Sequence, residues 1–329
     1  MEIWPCAAGS DMQHRRDILI SALRAAGLAA ATPLLSAATP YVRLDPERDT
    51  THGERRRLAA EVESLYEQQG GVPAARLQIG ILAAWANLAR YPKGKVAVHD
   101  LRARTAIIAG SNSITLGDSG NGRQWFELAH RYARLSGEPS LISLAHARAA
   151  NTAMYWPTTP RDAYGNIELA RRYADTAELR ALAAGEECRV RVLYGDAEGA
   201  ARAADEAVRF ANPADRSDRI DRCTRPVAHI TISRAFARLP HLALAAEEHA
   251  TEALRTLPRE SDLLRGHALL DIAEARVRRR DISGALGAAD RMLRDREHLE
   301  PVLRQRLAEV ATMVEQRTGK RCQEIRRHV

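Results

Sequence analysis

The feature that most constrains this chain is a turn that recurs at near-regular distances between Ala-rich stretches of helical periodicity. Leu116-Gly117-Asp118, Tyr194-Gly195-Asp196 and Arg280-Asp281 mark it, so that 118 to 196 is 78 residues and 196 to 281 is 85. Halved, these intervals are about 39 and about 42 residues, and turns do fall near the midpoints, at Pro157-Thr158-Thr159-Pro160 and Leu239-Pro240. A period of that length, holding two helices, is the signature of a helical solenoid.

Within each period the second helix carries small residues at i, i+4 and i+7, which places them on one helical face. Ala200, Ala204 and Ala207 form one set, Ala246, Ala250 and Ala253 another, and Ala285, Ala289 and Met292 a third. Gly122, Phe126 and Ala129, and Asn166, Ala170 and Tyr173, are weaker sets. Small side chains at these positions let paired helices approach closely. Aromatic residues make up only 5% of the chain, so its core must rest on Ala and aliphatic groups. The reading is all-α: a right-handed, tetratricopeptide-type stack of helical hairpins.

Five hairpins are predicted, pairing 97–115 with 119–135, 139–156 with 161–175, 177–193 with 197–211, 226–238 with 241–256, and 261–279 with 282–296. A longer connection opens at Asn212-Pro213 and runs through Cys223, and a closing helix from Leu299 to Gln316 covers the apolar face that a last repeat would otherwise expose. The repeat region spans 97–318, and the basic tail, 319–329, is expected to fray. Ahead of the repeats, 46–96 forms a helical cap region. Leu58, Val62, Leu65 and Tyr66 recur at helical spacing before Gly70-Gly71, and Pro73 opens a second helix carrying Leu77, Ile81, Leu82, Trp85 and Leu88.

Residues 1–45 read as an Ala-rich linker or docking helix. Arg15-Arg16 before an apolar run resembles a twin-arginine export signal, but Asp17 and Arg24 interrupt the pattern, and Leu19, Leu23, Ala26 and Ala30 share one helical face. The expectation is a cytoplasmic protein, with export as the alternative. No stretch is apolar and long enough to span a bilayer, so no membrane partner is expected.

The stretch Ala109–Asp175 resembles the C-terminal region of actinomycete helix-turn-helix transcriptional regulators that carry tetratricopeptide repeats. The likeness rests on Leu116-Gly117-Asp118, Trp125-Phe126-Glu127-Leu128-Ala129, Arg134-Leu135-Ser136-Gly137-Glu138-Pro139 and Ile167-Glu168-Leu169-Ala170-Arg171-Arg172-Tyr173-Ala174, with the segment from Arg15 to Leu35 similar to the family's linker. The resemblance implies a regulatory module in transcription. Only Met1–Gln13 precede the linker-like segment, too few for a helix-turn-helix, so direct DNA binding is not expected of this chain.

The catalytic signatures GxGxxG, Walker A, HExxH and GxSxG do not occur in the sequence. The glycine-rich Gly117–Gly122 segment joins two helices rather than a strand and a helix, and reads as a repeat turn. His241 and His249 lack a third ligand nearby, and Cys6, Cys188, Cys223 and Cys322 have no metal or redox spacing, so neither metal nor cofactor is expected. The net charge of +7 comes mostly from Arg interleaved with acids, which reads as a solvated surface.

The expected function is therefore binding rather than catalysis. Aligning the turns at Asp118, Asp162, Asp196 and Asp281 places Arg104, Ser111, Arg148, Asn151, Tyr155, Arg189, His267 and Glu274 on the concave wall lined by the first helices. Arg104, Arg148 and Arg189 would favour a peptide carboxylate or another small anionic ligand. A protein–protein scaffold or exported adaptor without a small ligand is the alternative, and a homodimer is compatible with either.

Overall fold

A computed structural model describes residues 52–69, 71–91, 98–155, 158–212, 222–259, 261–294 and 299–328. The twin-arginine segment, the linker and Cys6 lie outside these residues. Among the described residues the chain is all-helical, without a β-strand, and most helices pack chiefly against helices one or two places away in the chain. Two helices lead, α1 (His52–Gln68) and α2 (Ala74–Ala89). Five hairpins follow: α3 (His99–Thr115) with α4 (Ser119–Ser136), α5 (Pro139–Asn151) with α6 (Pro160–Arg172), α7 (Ala177–Leu193) with α8 (Ala197–Phe210), α9 (Arg225–Phe236) with α10 (Ala243–Thr256), and α11 (Asp262–Arg278) with α12 (Ile282–Arg294). A closing helix α13 (Pro301–Thr318) and a short α14 (Gln323–Arg326) end the chain.

The hairpin turns share one design. At Gly117, Gly195 and Arg280 the backbone is left-handed, with φ of 79°, 83° and 68°. The next amide bonds back five residues, Asp118 to Ser113, Asp196 to Arg191 and Asp281 to Arg276, which closes the first helix in a Schellman motif. Each of these Asp side chains then accepts from the amide three residues on, Asn121, Gly199 and Gly284 at 3.0, 2.8 and 2.9 Å, and so starts the second helix.

Counting from these caps gives a common register. Residues four, eight and eleven after the cap are buried in all five second helices: Gly122, Phe126 and Ala129 after Asp118; Ala200, Ala204 and Ala207 after Asp196; Ala246, Ala250 and Ala253 after Leu242; Ala285, Ala289 and Met292 after Asp281. In α6 the cap is Thr159, not Asp162, and the buried face is Ala163, Ile167 and Ala170. The expected set Asn166, Ala170 and Tyr173 is thus three residues late, because an i, i+4, i+7 pattern overlaps itself when shifted by one turn. Where two of these small positions meet, there is no room for more. A Cβ on Gly110 would lie 2.9 Å from the Phe126 ring, and one on Gly122 would lie 3.2 Å from the Gly110 carbonyl oxygen.

The first helices line up beside one another, with α3, α5, α7, α9, α11 and α13 in successive contact. The last of them also touches α3, with Gly117 facing Pro301, and the Ala74 amide at the start of α2 donates to Glu300 Oε1 at 2.9 Å. Helix α2 has no capping side chain of its own, so a carboxylate 226 residues away supplies the cap.

Three expectations are corrected. Residues 139–156 are not one helix: α5 ends at Asn151 and a 3-10 turn, Thr152–Met154, carries the chain to Tyr155. A 3-10 turn, Pro240–Leu242, likewise precedes α10. The tail does not fray over its described residues. Cys322 and Ile325 are buried, and Arg326 pairs with Glu315 of α13 at 2.8 Å. An apolar residue among the basic ones anchors the tail where charge alone would leave it in solvent.

Candidate functional site

The first helices are buried nearly all round, and they carry charge into that burial. In α7, Leu179 and every residue from Ala181 to Val190 are buried; in α9, every residue from Pro226 to Phe236 is. Arg148, Glu186, Arg189, Arg234, Asp271 and Arg306 are each at most 7% exposed. These six come from α5, α7, α9, α11 and α13, and form a polar seam through the stacked inner helices.

At one end of the seam, Glu186 is shared. Arg189 donates to it at 2.9 Å and Arg148 at 3.3 Å, while Arg189 also donates to Asn151 Oδ1 at 2.9 Å. Three residues expected on the concave wall, Arg148, Asn151 and Arg189, are therefore brought together. They meet around a carboxylate of the chain itself, which sequence reasoning did not include. At the other end, Arg306 donates to Asp271 at 2.6 Å and to the Nδ1 of His267 at 3.2 Å, and lies 3.6 Å from Glu274. Ser233 also donates to Asp271, at 2.6 Å. His267 and Glu274 are thus neighbours of the seam, with Glu274 held too by Arg278 at 2.9 Å.

Between the two ends lies Tyr155, half-buried, delivered by the 3-10 turn that ends α5. The Arg234 guanidinium sits over its ring, 4.9 Å from the centroid. Burial pulls Arg234 down to about 10, low for an arginine yet still protonated at neutral pH. Burial also pushes the Asp271 carboxyl above its usual range, against the pull of Arg306.

Arg104 and Ser111 stand apart. Arg104 pairs with Glu63 at 2.8 Å and covers the Tyr66 ring at 5.1 Å, so its partners are on α1. Ser111 is half-buried in the last turn but one of α3. The residues that sequence reasoning missed are Glu186, Ser233, Arg234, Asp271 and Arg306. A signal for most of them was present. Hydrogen bonds between successive inner helices recur at a separation of 38 residues, in Arg148–Glu186, Asn151–Arg189 and Ser233–Asp271, and 39 in His267–Arg306, and the two leading helices meet α3 at the same spacing in Tyr66–Arg104 and Ala74–Asn112. Polar pairs at that spacing include Glu186, Ser233, Asp271 and Arg306, but not Arg234.

Two histidine pairs lie between inner and outer helices. His229 and His249 are linked Nδ1 to Nδ1 at 2.8 Å, and the His130 and His146 rings stack at 4.1 Å. Burial, then the neighbouring imidazole, holds His229 down at about 4 and His130 at about 3. His241 is exposed and does not join His249. Among the described residues no group of three or more His, Cys, Asp or Glu is placed to hold a metal ion, and no helix is long and apolar enough to cross a membrane. Cys188, Cys223 and Cys322 are buried free thiols, the first two pushed up to about 12 by burial. An open depression lined by Glu315, Gly319, Lys320, Arg321 and Arg326 lies away from the seam, and Glu315 and Arg326 already pair across it.

Comparison with family models, with curated proteins and with solved structures gives no significant match to this chain.

Proposed function

We propose that the chain is a ligand-binding sensor module built on tetratricopeptide-type, right-handed helical repeats. The repeat reading is supported by the common cap register, the small-residue faces and the 38-residue spacing between inner helices. The observation that carries the functional reading is the buried polar seam. Replacing buried ion pairs by well-packed apolar residues is often neutral or stabilising, so a run of them is poorly explained by stability alone. It is well suited to recognising a polar ligand, because the side chains are pre-ordered by one another. Enclosure by α13 favours a small ligand over a long extended peptide. A regulatory output in transcription rests on the family resemblance, with DNA binding supplied by something other than the described helices.

The test is a thermal-shift screen of the purified chain against metabolites and short peptides. A ligand that binds only the folded state raises Tm, by an amount that grows with the logarithm of one plus the ratio of free ligand to Kd. A hit whose effect is lost on Asn151→Ala and kept on exposed Arg202→Ala supports the reading. If nothing shifts Tm, and a protein partner instead co-purifies stoichiometrically, the scaffold alternative takes its place.

A further inference from the structure

The five buried arginines among the described residues are not equivalent. Arg148 and Arg189 share Glu186, Arg306 holds Asp271, and Arg102 donates to the carbonyls of Leu88 and Tyr91 at 2.9 and 2.7 Å. Arg234 has no such acceptor. It is 7% exposed, lies on Tyr155, and makes no hydrogen bond or ion pair among the described residues. Beside it, the Nε of Arg189 is buried without a hydrogen-bond partner.

Charge balance points the same way. Arg148, Arg189, Arg234 and Arg306 face two fully buried carboxylates, Glu186 and Asp271, and Glu274 at the margin is shared between Arg306 and Arg278. Burial disfavours the Arg234 charge most, and around it Tyr155 and Asp271 favour the charge while Arg306 and Arg189 repel it. A cation over an aromatic face recovers about 2 kcal/mol when desolvated, less than the several kcal/mol that removing a guanidinium from water costs. A guanidinium is a planar fork that matches the two oxygens of a carboxylate or phosphate. Tyr155, itself half-buried, lies against this guanidinium and adds a phenolic donor.

We infer that Arg234, with the Arg189 Nε and the Tyr155 hydroxyl, binds an oxyanion group, a carboxylate or phosphate, of a small ligand. This rests on the sensor reading above and narrows it. It also centres the anion site one hairpin along, on Arg234 with Arg189 at its edge, because Arg148 and Arg189 already share Glu186.

The test uses the full chain in chloride buffer at fixed ionic strength, titrated with inorganic phosphate and, separately, with succinate, reading binding by isothermal titration calorimetry alongside Tm. A saturable isotherm with an accompanying Tm rise is expected with at least one, and the responding anion tells phosphate from carboxylate. The rise should vanish in Arg234→Met and persist in Arg202→Met, which changes an exposed arginine. Tyr155→Phe should weaken half-saturation by about five-fold, the scale of one lost hydrogen bond. No saturable isotherm with either anion overturns the proposal, as does an unchanged isotherm in Arg234→Met. If Arg234→Met does not fold, an unchanged half-saturation in Tyr155→Phe overturns it instead. If both anions fail while an uncharged member of the ligand screen still stabilises the chain, the sensor reading stands and only the anion site falls.

Discussion

The inner and outer helices of the hairpins bury themselves in different ways. In α9 burial is continuous from Pro226 to Phe236, whereas in α8 only Gly199, Ala200, Ala203, Ala204 and Ala207 are buried. An outer helix has one partner face and leaves its charges to water: Arg202 and Glu198 pair loosely at 3.8 Å with both side chains mostly exposed. An inner helix is flanked on both sides by other inner helices, so a charge it carries either finds its partner inside, as Arg306 does at Asp271, or goes without one among the described residues, as Arg234 does. The same residue type is therefore a near-neutral surface group in one layer and a structural commitment in the other.

The sharpest way to break that contrast is to remove a shared carboxylate. Glu186→Ala should cost roughly 3–5 kcal/mol, since it leaves Arg148 and Arg189 buried without the carboxylate they share. Urea unfolding checks it, and Glu198→Ala on the outer layer should stay within about 0.5 kcal/mol.

Acid probes the boundary between layers. His229 and His130 titrate in the folded chain at about 4 and about 3, below the value near 6.5 of an unfolded histidine. The unfolded state then binds more protons between those limits. Stability should be full above pH 6.5 and fall as pH drops from 6.5 towards 4. A Tm–pH profile tests this, and His229→Phe should flatten it. A flat profile in the parent chain would contradict the buried, neutral pairs.

Overpacking tests the register of the outer helices. Ala204→Leu and Ala250→Leu, at the eighth position after their caps, should each cost about 1–3 kcal/mol. Two unchanged stabilities would mean that the shared register is wrong.

The smallest effect is a gain. Arg280 holds a left-handed backbone that Gly117 and Gly195 adopt at equivalent turns. Arg280→Gly should stabilise the chain by roughly 1 kcal/mol, by removing the clash between Cβ and the following carbonyl.

The sequence made the outer layer more legible than the inner one, for a physical reason. An amphipathic helix writes its buried face as a period, and Ala200-Ala204-Ala207 or Ala246-Ala250-Ala253 could be read directly from it. An inner helix buried all round has no such contrast. The expected concave residues Arg148, Asn151, Tyr155 and Arg189 do come together, yet nothing local to them announces Glu186, Arg234 or Asp271. The misplaced face in α6 arose because Asp162 imitates the Asp caps of the other turns while Thr159 does the capping. The contact between α13 and the first hairpin was invisible, because Glu300 and Ala74 carry no mutual pattern.

That distant cap has a kinetic consequence. In a linear array each unit meets only its nearest neighbours, so either end can peel away while the rest persists, and stability is close to a sum of unit and interface terms. A bond between Ala74 and Glu300 ties the two ends of the array into one cooperative event. It also adds a contact of very high sequence separation, whose loop-closure entropy must be met before the contact can form. The hairpins would then assemble quickly and locally, the clasp would form late, and Glu300→Ala would show itself as faster unfolding with refolding little changed.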